Sequence, residues 1–364
     1  MTEAAVEPAT IAEQHRPPGL RALPRWAVLA GLAALLVAAA LVSAAIGSAG
    51  IPPGRLAAAL GLTGGDGAAA EVARDRLILL SIRLPRIVLA VAVGALLATS
   101  GTIMQGLFRN PLADPGLVGV SAGAGLAAAA TIVLGDKILG GALGPELLPV
   151  AAFLGALAVT AMLYRIATSE GRTSIATLLL AGLALGALAG AGTGLLVFLA
   201  DDRQLRDITF WTLGSLAGST WPKVWAMAPF LFGVLAALPV IARGLDMLVL
   251  GEAEAFHMGV PVEGLKRFAI VLVAAAAGAA VAASGVIGFV GIVVPHLLRL
   301  VIGPGHRTLL PAAVLFGGVV LLVADSLART LAAPAELPVG IVTAILGAPF
   351  FLLLLLRQRA VVGL

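Results

Sequence analysis

The chain has 364 residues, of which 60% are hydrophobic and only 12% are charged, and its mean hydropathy is +1.08. Soluble globular proteins contain about 45–50% apolar and about 25% charged residues, so this composition excludes a soluble enzyme. The sequence has no cysteine, which excludes disulfides, iron–sulfur clusters and thiolate metal sites. The four histidines form no ligand pair, so we expect no metal site. The net charge of +4 fits arginine-rich cytoplasmic loops better than a nucleic-acid partner.

The first 25 residues are polar and rich in glutamate and proline, which is typical of a flexible tail. The apolar run that follows, 26–49, is too long for the hydrophobic region of a signal peptide and lacks a convincing cleavage site. We therefore expect a flexible cytoplasmic tail over 1–25 and a transmembrane domain over 26–359.

Long apolar runs predict an all-α polytopic membrane protein with ten transmembrane helices, because about 20 apolar residues cross a bilayer. With both termini cytoplasmic, 13 of the 23 lysines and arginines lie inside and 10 outside, as the positive-inside rule favours. The predicted spans are 26–49, 84–107, 117–134, 147–166, 175–199, 223–243, 268–284, 286–302, 309–329 and 339–356.

A short internal repeat relates the two halves of the chain. The sequence GALLATSG at 94–101 recurs as GAAVAASG at 278–285, in the second and seventh spans. Spans five apart run in opposite directions, so spans 2–5 and 7–10 would form inverted repeats, as in transporters that alternate access. Chance is the competing explanation in so alanine-rich a chain.

The sequence has neither a phosphate-binding GxxxxGK[ST] loop nor a series of buried carboxylates for a proton relay. Asp325 is the one acid inside an apolar run, and Arg329 follows one helical turn later. This pair either has a function in the membrane or only stabilises the end of its helix. Without an ATP site or an ion relay, the chain is expected to take its energy from another subunit.

Such a subunit needs a cytoplasmic contact surface, and the loop 243–267 is the longest candidate. Its pattern predicts two short helices, broken at Gly251 and ended at Gly259. The alternative is an amphipathic loop that lies on the lipid surface.

Several distinctive motifs lie along the chain, namely RLPR at 83–86, QGLFRNPLADPGLVGVS at 105–121, GVIGFVGIVVPHLLR at 285–299, GHR at 305–307, AD at 324–325 and ELPVG at 336–340. They resemble the permeases of iron-chelate and vitamin B12 ABC importers. The likeness runs in order from about residue 75 to 356 and is closest in pattern to hemin importer permeases.

The resemblance implies a machine of several subunits. It comprises a homodimer of this permease, two cytoplasmic ABC ATPases and a soluble substrate-binding protein on the outer side. The chain itself would be no enzyme and would bind no cofactor, because ATP and Mg²⁺ belong to the ATPase. It would lie in a bacterial cytoplasmic (inner) membrane, in contact with lipid.

The resemblance also assigns a docking role to three arginines expected at the outer face. Arg83, Arg86 and Arg329 match positions that receive acidic residues of the binding protein, and arginine–carboxylate pairs suit selective docking. The alternative is that these arginines extend to lipid headgroups.

Two further sets of residues follow from the same resemblance, both on the cytoplasmic side. A gate is expected at Asn110, Thr173 and Ser174, although Thr173 or Ser174 could equally be an ordinary helix N-cap. Contact with the ATPase is expected at Leu250, Gly251, Ala255, Met258 and Gly259.

The cargo is predicted from the segment 204–216, QLRDITFWTLGSL, which resembles the hemin branch most. Arg206 could pair with a heme propionate, while Phe210 and Trp211 could contact the macrocycle. The alternative is an external loop in which Arg206 pairs with a neighbouring aspartate. The leading prediction is therefore a heme importer permease. Ferric siderophore or cobalamin cargo is the runner-up, and an ion-coupled secondary transporter is a distant alternative.

Overall fold

A computed structural model of the chain describes residues 24–46, 51–61, 69–139 and 147–362. The predicted tail, 1–25, lies outside these residues except for its last two positions. Its separation from the membrane domain therefore stays a prediction.

Within the described residues the chain forms fourteen α-helices and one small antiparallel hairpin, β1 (Thr168–Ser169) with β2 (Arg172–Thr173). A π-helical turn, Leu79–Arg83, joins α3 to α4, and a 3-10 turn, Pro115–Val118, precedes α5. The helices are α1 (Arg25–Ala45), α2 (Pro53–Ala59), α3 (Ala69–Ile78), α4 (Leu84–Phe108), α5 (Val120–Leu139), α6 (Leu147–Ala167), α7 (Ile175–Leu199), α8 (Asp202–Thr212), α9 (Trp221–Leu248), α10 (Glu252–His257), α11 (Val262–Ser284), α12 (Val290–Ile302), α13 (His306–Leu331) and α14 (Val339–Val362).

Each of the ten predicted spans coincides with an apolar helix, namely α1, α4, α5, α6, α7, α9, α11, α12, α13 or α14. Seven of these helices are long and apolar enough to cross a membrane, and α5, α12 and α14 have shorter apolar stretches. The predicted break between the seventh and eighth spans is confirmed, since α11 ends at Ser284 and α12 begins at Val290. The chain is an all-α polytopic membrane protein.

The main difference from the prediction lies before the second span. It was expected to begin at residue 84, yet α3, the π-helical turn and α4 form one continuous helix from residue 69 to 108. The added turns carry Glu71, Arg74, Asp75 and Arg76, so they give no apolar signal. Asp75 is buried and pairs with Arg55 of α2 at 2.6 Å, which secures this polar extension.

The helix contacts support the inverted repeats. Helix α4 of the first repeat packs on α13 of the second repeat, and the counterpart of α4, α11, packs on α6, the counterpart of α13. The repeated glycines make equivalent approaches, because Gly94 lies against Gly317 of α13 and Gly278 lies against Ala156 of α6. α4 is buried along nearly its whole length and forms the centre of the bundle.

Candidate docking, coupling and gating sites

The outer end of the bundle contains an ion network between α4, α13 and the loop that follows α13. The Arg86 guanidinium, at the start of α4, donates to both carboxylate oxygens of Asp325, with Nη2 at 2.9 Å from Oδ1. Its Nη1 pairs with Glu336 at 2.8 Å. Arg329 binds the same aspartate from one turn away, at 3.2 Å. Asp325 thus joins two helices that are distant in sequence, besides pairing within its own.

Arg83 and Arg329 also bind the end of α1. Arg83 donates to the carbonyls of Ala44 and, at 3.3 Å, Ala45. Arg329 donates to the Ser43 hydroxyl at 2.8 Å and to the Ile46 carbonyl at 3.1 Å. The last carbonyls of a helix have no partner within it and attract cations, so these arginines stabilise the α1 terminus.

The structure therefore brings together the three arginines that were predicted to dock a binding protein. It places them in an internal network, where Arg83 and Arg329 are only 5% and 8% exposed. Of the network's acids, Asp325 is buried and Glu336 is 43% exposed. The docking role stays a prediction, and the described ion-pair partners of Arg86 include the exposed Glu336.

The predicted coupling loop lies at the opposite, cytoplasmic end. Its first predicted helix is the end of α9, which runs unbroken to Leu248. The chain then breaks at Gly251, whose φ of +124° favours glycine, continues as α10, and turns again at Gly259 with φ +83°. The predicted breaks are thus correct, and one of the two short helices is an extension of a span.

Side chains of this loop divide into exposed and buried sets. Leu250 and Met258 are 62% and 46% exposed, which is unusual for large apolar residues at a polar end of a bundle. Ala255 is completely buried and anchors α10 on its neighbours. Phe256 is also exposed, and the sequence analysis did not single it out. An apolar surface of this kind suits a protein partner.

One buried lysine links the coupling loop to the predicted gate. Lys266 Nζ lies 2.7 Å from Glu252 of α10, 3.0 Å from Glu263 of its own helix and 3.3 Å from the Thr173 carbonyl. Glu263 accepts a further hydrogen bond from the Thr173 N–H at 3.0 Å. We call Lys266, Glu252, Glu263 and Thr173 the lysine network. Of these contacts, only the pair of Glu263 and Lys266 has a local signal in the sequence, the spacing of a helical ion pair.

The three predicted gate residues occupy different settings. Ser174 is the N-cap of α7, and its hydroxyl accepts from the Thr177 N–H at 3.2 Å. Thr173 is buried in the lysine network. Asn110 is exposed just after α4, where its side chain accepts from the Leu112 N–H at 2.9 Å. The N-cap interpretation is confirmed for Ser174, and the gating role of all three stays a prediction.

The turn after Asn110 holds a carboxyl group that sequence analysis left without a role. Asp114 caps the 3-10 turn by accepting from the Gly116 N–H at 2.7 Å, and it lies against Gly291. Burial raises the pKa of the Asp114 carboxyl, and the hydrogen bond from Gly116 opposes that rise.

The predicted cargo residues lie on α8, a helix between the fifth and sixth spans that the sequence patterns did not predict. Its N-terminus is a capping box of Asp201 and Gln204, a signal present in the sequence. Arg206 and Phe210 are exposed one turn apart, whereas Trp211 packs inward beside α5 and the end of α11. The alternative ion pair is made by Arg203, which lies 4.0 Å from Asp207.

Comparison with known proteins gives a consistent result. Residues 35–357 match the model of the FecCD transport family. The hemin transport system permease HmuU of Yersinia pestis is 49% identical over 285 residues, which cover 77% of this chain and 83% of that protein. The cobalamin import permease of Halobacterium salinarum is 47% identical over 281 residues, covering 77% and 73%. The vitamin B12 import permease of Klebsiella pneumoniae is 41% identical over 336 residues, covering 92% and 94%.

The fold agrees with a solved structure described as an inward-facing ABC transporter of the metal-chelate type. The superposition covers 91% of this chain and 99% of the solved chain, with 33% sequence identity and a TM-score of 0.79. These relatives are permease subunits and not enzymes, so ATP hydrolysis belongs to a separate subunit. The chain belongs to the FecCD transport family and is the permease subunit of a type II ABC importer.

Proposed function

We propose that two copies of this chain form the pore of a bacterial inner-membrane importer, with two cytoplasmic ABC ATPases and an outer binding protein. The import permeases to which the chain is similar support this architecture. A glycine stripe on α7 supports the homodimer, because a Cβ at Gly186, Gly190 or Gly194 would meet nothing within 4 Å. Small residues at this spacing allow close helix contact in lipid, so α7 offers a surface to a second copy.

The coupling path would run from α10 to the gate. The exposed Leu250 and Met258 would contact the ATPase, and the buried Ala255 would make α10 move as one body with its neighbours. The lysine network would pass this movement to the hairpin that leads into α7. The observation that supports this path is the position of Lys266, which binds α10 and the hairpin at once.

The cargo we propose is heme. The observation that carries this choice is the exposed pair on α8, where the Arg206 cation and the Phe210 ring lie one turn apart. Heme presents carboxylates beside a flat apolar macrocycle, so one cation and one ring suit it. The likeness to a hemin permease supports heme, and the cobalamin permeases support the runner-up.

Uptake into proteoliposomes tests the cargo. The chain is reconstituted with its ATPase and binding protein, and heme, a ferric siderophore and cobalamin are compared with and without internal ATP. We expect ATP-dependent uptake of heme alone. Uptake of cobalamin or a siderophore would contradict heme as the cargo but leave the proposed importer architecture unchanged. ATP-independent uptake would contradict the proposal that an ATPase drives transport.

Two matched variants of α8 sharpen this experiment. Arg206→Ala should lower heme uptake by about tenfold or more, since a hydrogen bond to a charged group contributes about 1.5–3 kcal/mol. Arg203→Ala removes another exposed arginine of α8, whose described partner is Asp207, and it should leave uptake unchanged. Equal effects of the two variants would mean that α8 acts only through its net charge.

A further inference from the structure

A groove between α6 and α11 is used by none of the sites above. It lies in the cytoplasmic half of the bundle and has a volume of about 420 Å³. Apolar side chains form its floor, among them Leu157, Ala161, Ile270 and Ala274. Its outer edge continues into the exposed face of α6. The groove therefore opens to the outside of the helix bundle, at a depth that lies within the membrane.

The cytoplasmic rim of the groove is basic. Arg165, in the last turn of α6, and Arg267, near the start of α11, both line it, together with Tyr164. Arg267 Nε donates to the Tyr164 hydroxyl at 3.1 Å. In the described part of the chain neither arginine forms an ion pair, and no acidic residue lines the groove. Two cations thus face one opening without a carboxylate.

The depth of the groove restricts what can fill it. Leu157 lies eight residues before Arg165, or about 12 Å along the helix, so the groove extends from the polar rim into the hydrocarbon region. A soluble ATPase cannot occupy that apolar depth. A second copy packed here by two-fold symmetry would bring the basic rim against itself, because such an interface uses the same patch on both subunits.

An anionic phospholipid satisfies both halves of the groove. Its acyl chain replaces water on the apolar floor, and its phosphate can accept several hydrogen bonds from guanidinium groups. Anionic lipids are attracted to basic pockets between transmembrane helices on the cytoplasmic side. We propose that this groove binds an anionic phospholipid of the cytoplasmic leaflet, with its phosphate between Arg165 and Arg267 and an acyl chain against Ala161 and Ala274.

The single tyrosine of the chain permits a direct test. The purified protein is placed in nanodiscs of phosphatidylcholine or phosphatidylglycerol, and acetylation of the Tyr164 phenol by N-acetylimidazole is followed by mass spectrometry. We expect acetylation to be severalfold slower in phosphatidylglycerol, because the bound headgroup covers the phenol. Since Arg267 itself binds Tyr164, the ratio of the two rates is compared within each variant rather than the rates themselves.

The double variant Arg165→Gln/Arg267→Gln should bring this ratio close to one. The control Arg243→Gln/Arg307→Gln removes two cytoplasmic-side arginines outside the groove lining and should keep the wild-type ratio. Native mass spectrometry of delipidated protein titrated with phosphatidylglycerol should show fewer retained lipids on the first double variant alone. The same rate ratio in wild type and first variant would overturn the proposal. So would protection that appears in lipid-free detergent and increases with protein concentration, because a second copy would then fill the groove.

Discussion

The two ends of this bundle use ion pairs in opposite ways. At the outer end the central carboxylate, Asp325, is 1% exposed and is held by Arg86 and Arg329, which are 11% and 8% exposed. At the inner end the buried Lys266 meets Glu252 and Glu263, whose side chains are 41% and 34% exposed. Both ends have short ion pairs, but only the pairs of Asp325, at the outer end, have both partners largely shielded from solvent.

This difference determines which end can move. A buried charge that loses its partner cannot be hydrated, so separating such a pair is costly. A carboxylate that already touches water can exchange its partner for solvent at little cost. We infer that the outer network is a fixed join between α4 and α13. In the lysine network one glutamate can exchange Lys266 for solvent while the buried ammonium keeps the other glutamate.

The largest effect is expected from breaking the fixed join. Asp325→Asn would leave Arg86 and Arg329 without their shared carboxylate and should lower stability by about 3–5 kcal/mol. Thermal unfolding of the purified protein in detergent measures this loss. Glu336→Gln is the matched control, because Glu336 also pairs with Arg86 but is half exposed, and it should cost about 0–1 kcal/mol. Similar losses in both variants would contradict the contrast between the two acids.

The second prediction concerns transmission at the inner end. Lys266→Met removes a side chain that contacts Glu252, Glu263 and Thr173 together, while the two carboxylates stay hydrated. The assembled importer should therefore keep its ATPase activity but lose most of its cargo uptake. The ratio of ATP hydrolysed to cargo imported is the measurement, and Lys266→Arg should restore it in part. A parallel fall of both activities would indicate a merely structural lysine.

The third prediction concerns the break before α10. Gly251→Ala places a side chain at φ +124°, a conformation that costs non-glycine residues about 1–3 kcal/mol, and its Cβ would meet Glu254. Affinity for the ATPase, measured with both components purified, should fall by about tenfold. Gly233→Ala, inside α9 with open space around it, is the control and should leave the affinity unchanged. Equal affinities of all three proteins would show that α10 is not part of the contact.

The sequence predicts those features of the fold that depend on residues close together in the chain. The ten spans follow from apolar runs, and the break at Gly251 from a local helix stop. The Asp325–Arg329 pair follows from its spacing of four and is confirmed at 3.2 Å. Arg86 binds the same aspartate from 239 positions away, which no local pattern reveals.

Two features of the structure, helix α8 and the lysine network, were not predicted, for different reasons. The helix α8 could have been predicted, because Asp201 and Gln204 have the spacing of a capping box. The lysine network could not, because its link to Thr173 spans 93 positions and depends on how α11 packs beside the hairpin. Local signals thus predict the spans, whereas the polar contacts between spans depend on how the helices pack.

The smallest predicted effect tests whether the outer network takes part in docking. Arg86 shares its charge between the buried Asp325 and the exposed Glu336, so an acidic residue of a binding protein would compete only with Glu336. Glu336→Gln should therefore raise the affinity for the binding protein severalfold, measured on nanodisc-embedded permease. Glu71→Gln removes another exposed carboxylate of the same end, which pairs with Arg55 at 3.3 Å.

An equal gain in the Glu71 variant would reduce the effect to net charge, and a loss of affinity in the Glu336 variant would contradict competition. A gain confined to Glu336→Gln would mean that docking replaces an internal partner of Arg86. The arginine could then receive the binding protein while Asp325 still holds α4 to α13. In that case Asp325 would hold the helices together permanently, whereas Glu336 would give way to the binding protein. The buried setting of these arginines would then be compatible with a role at the surface.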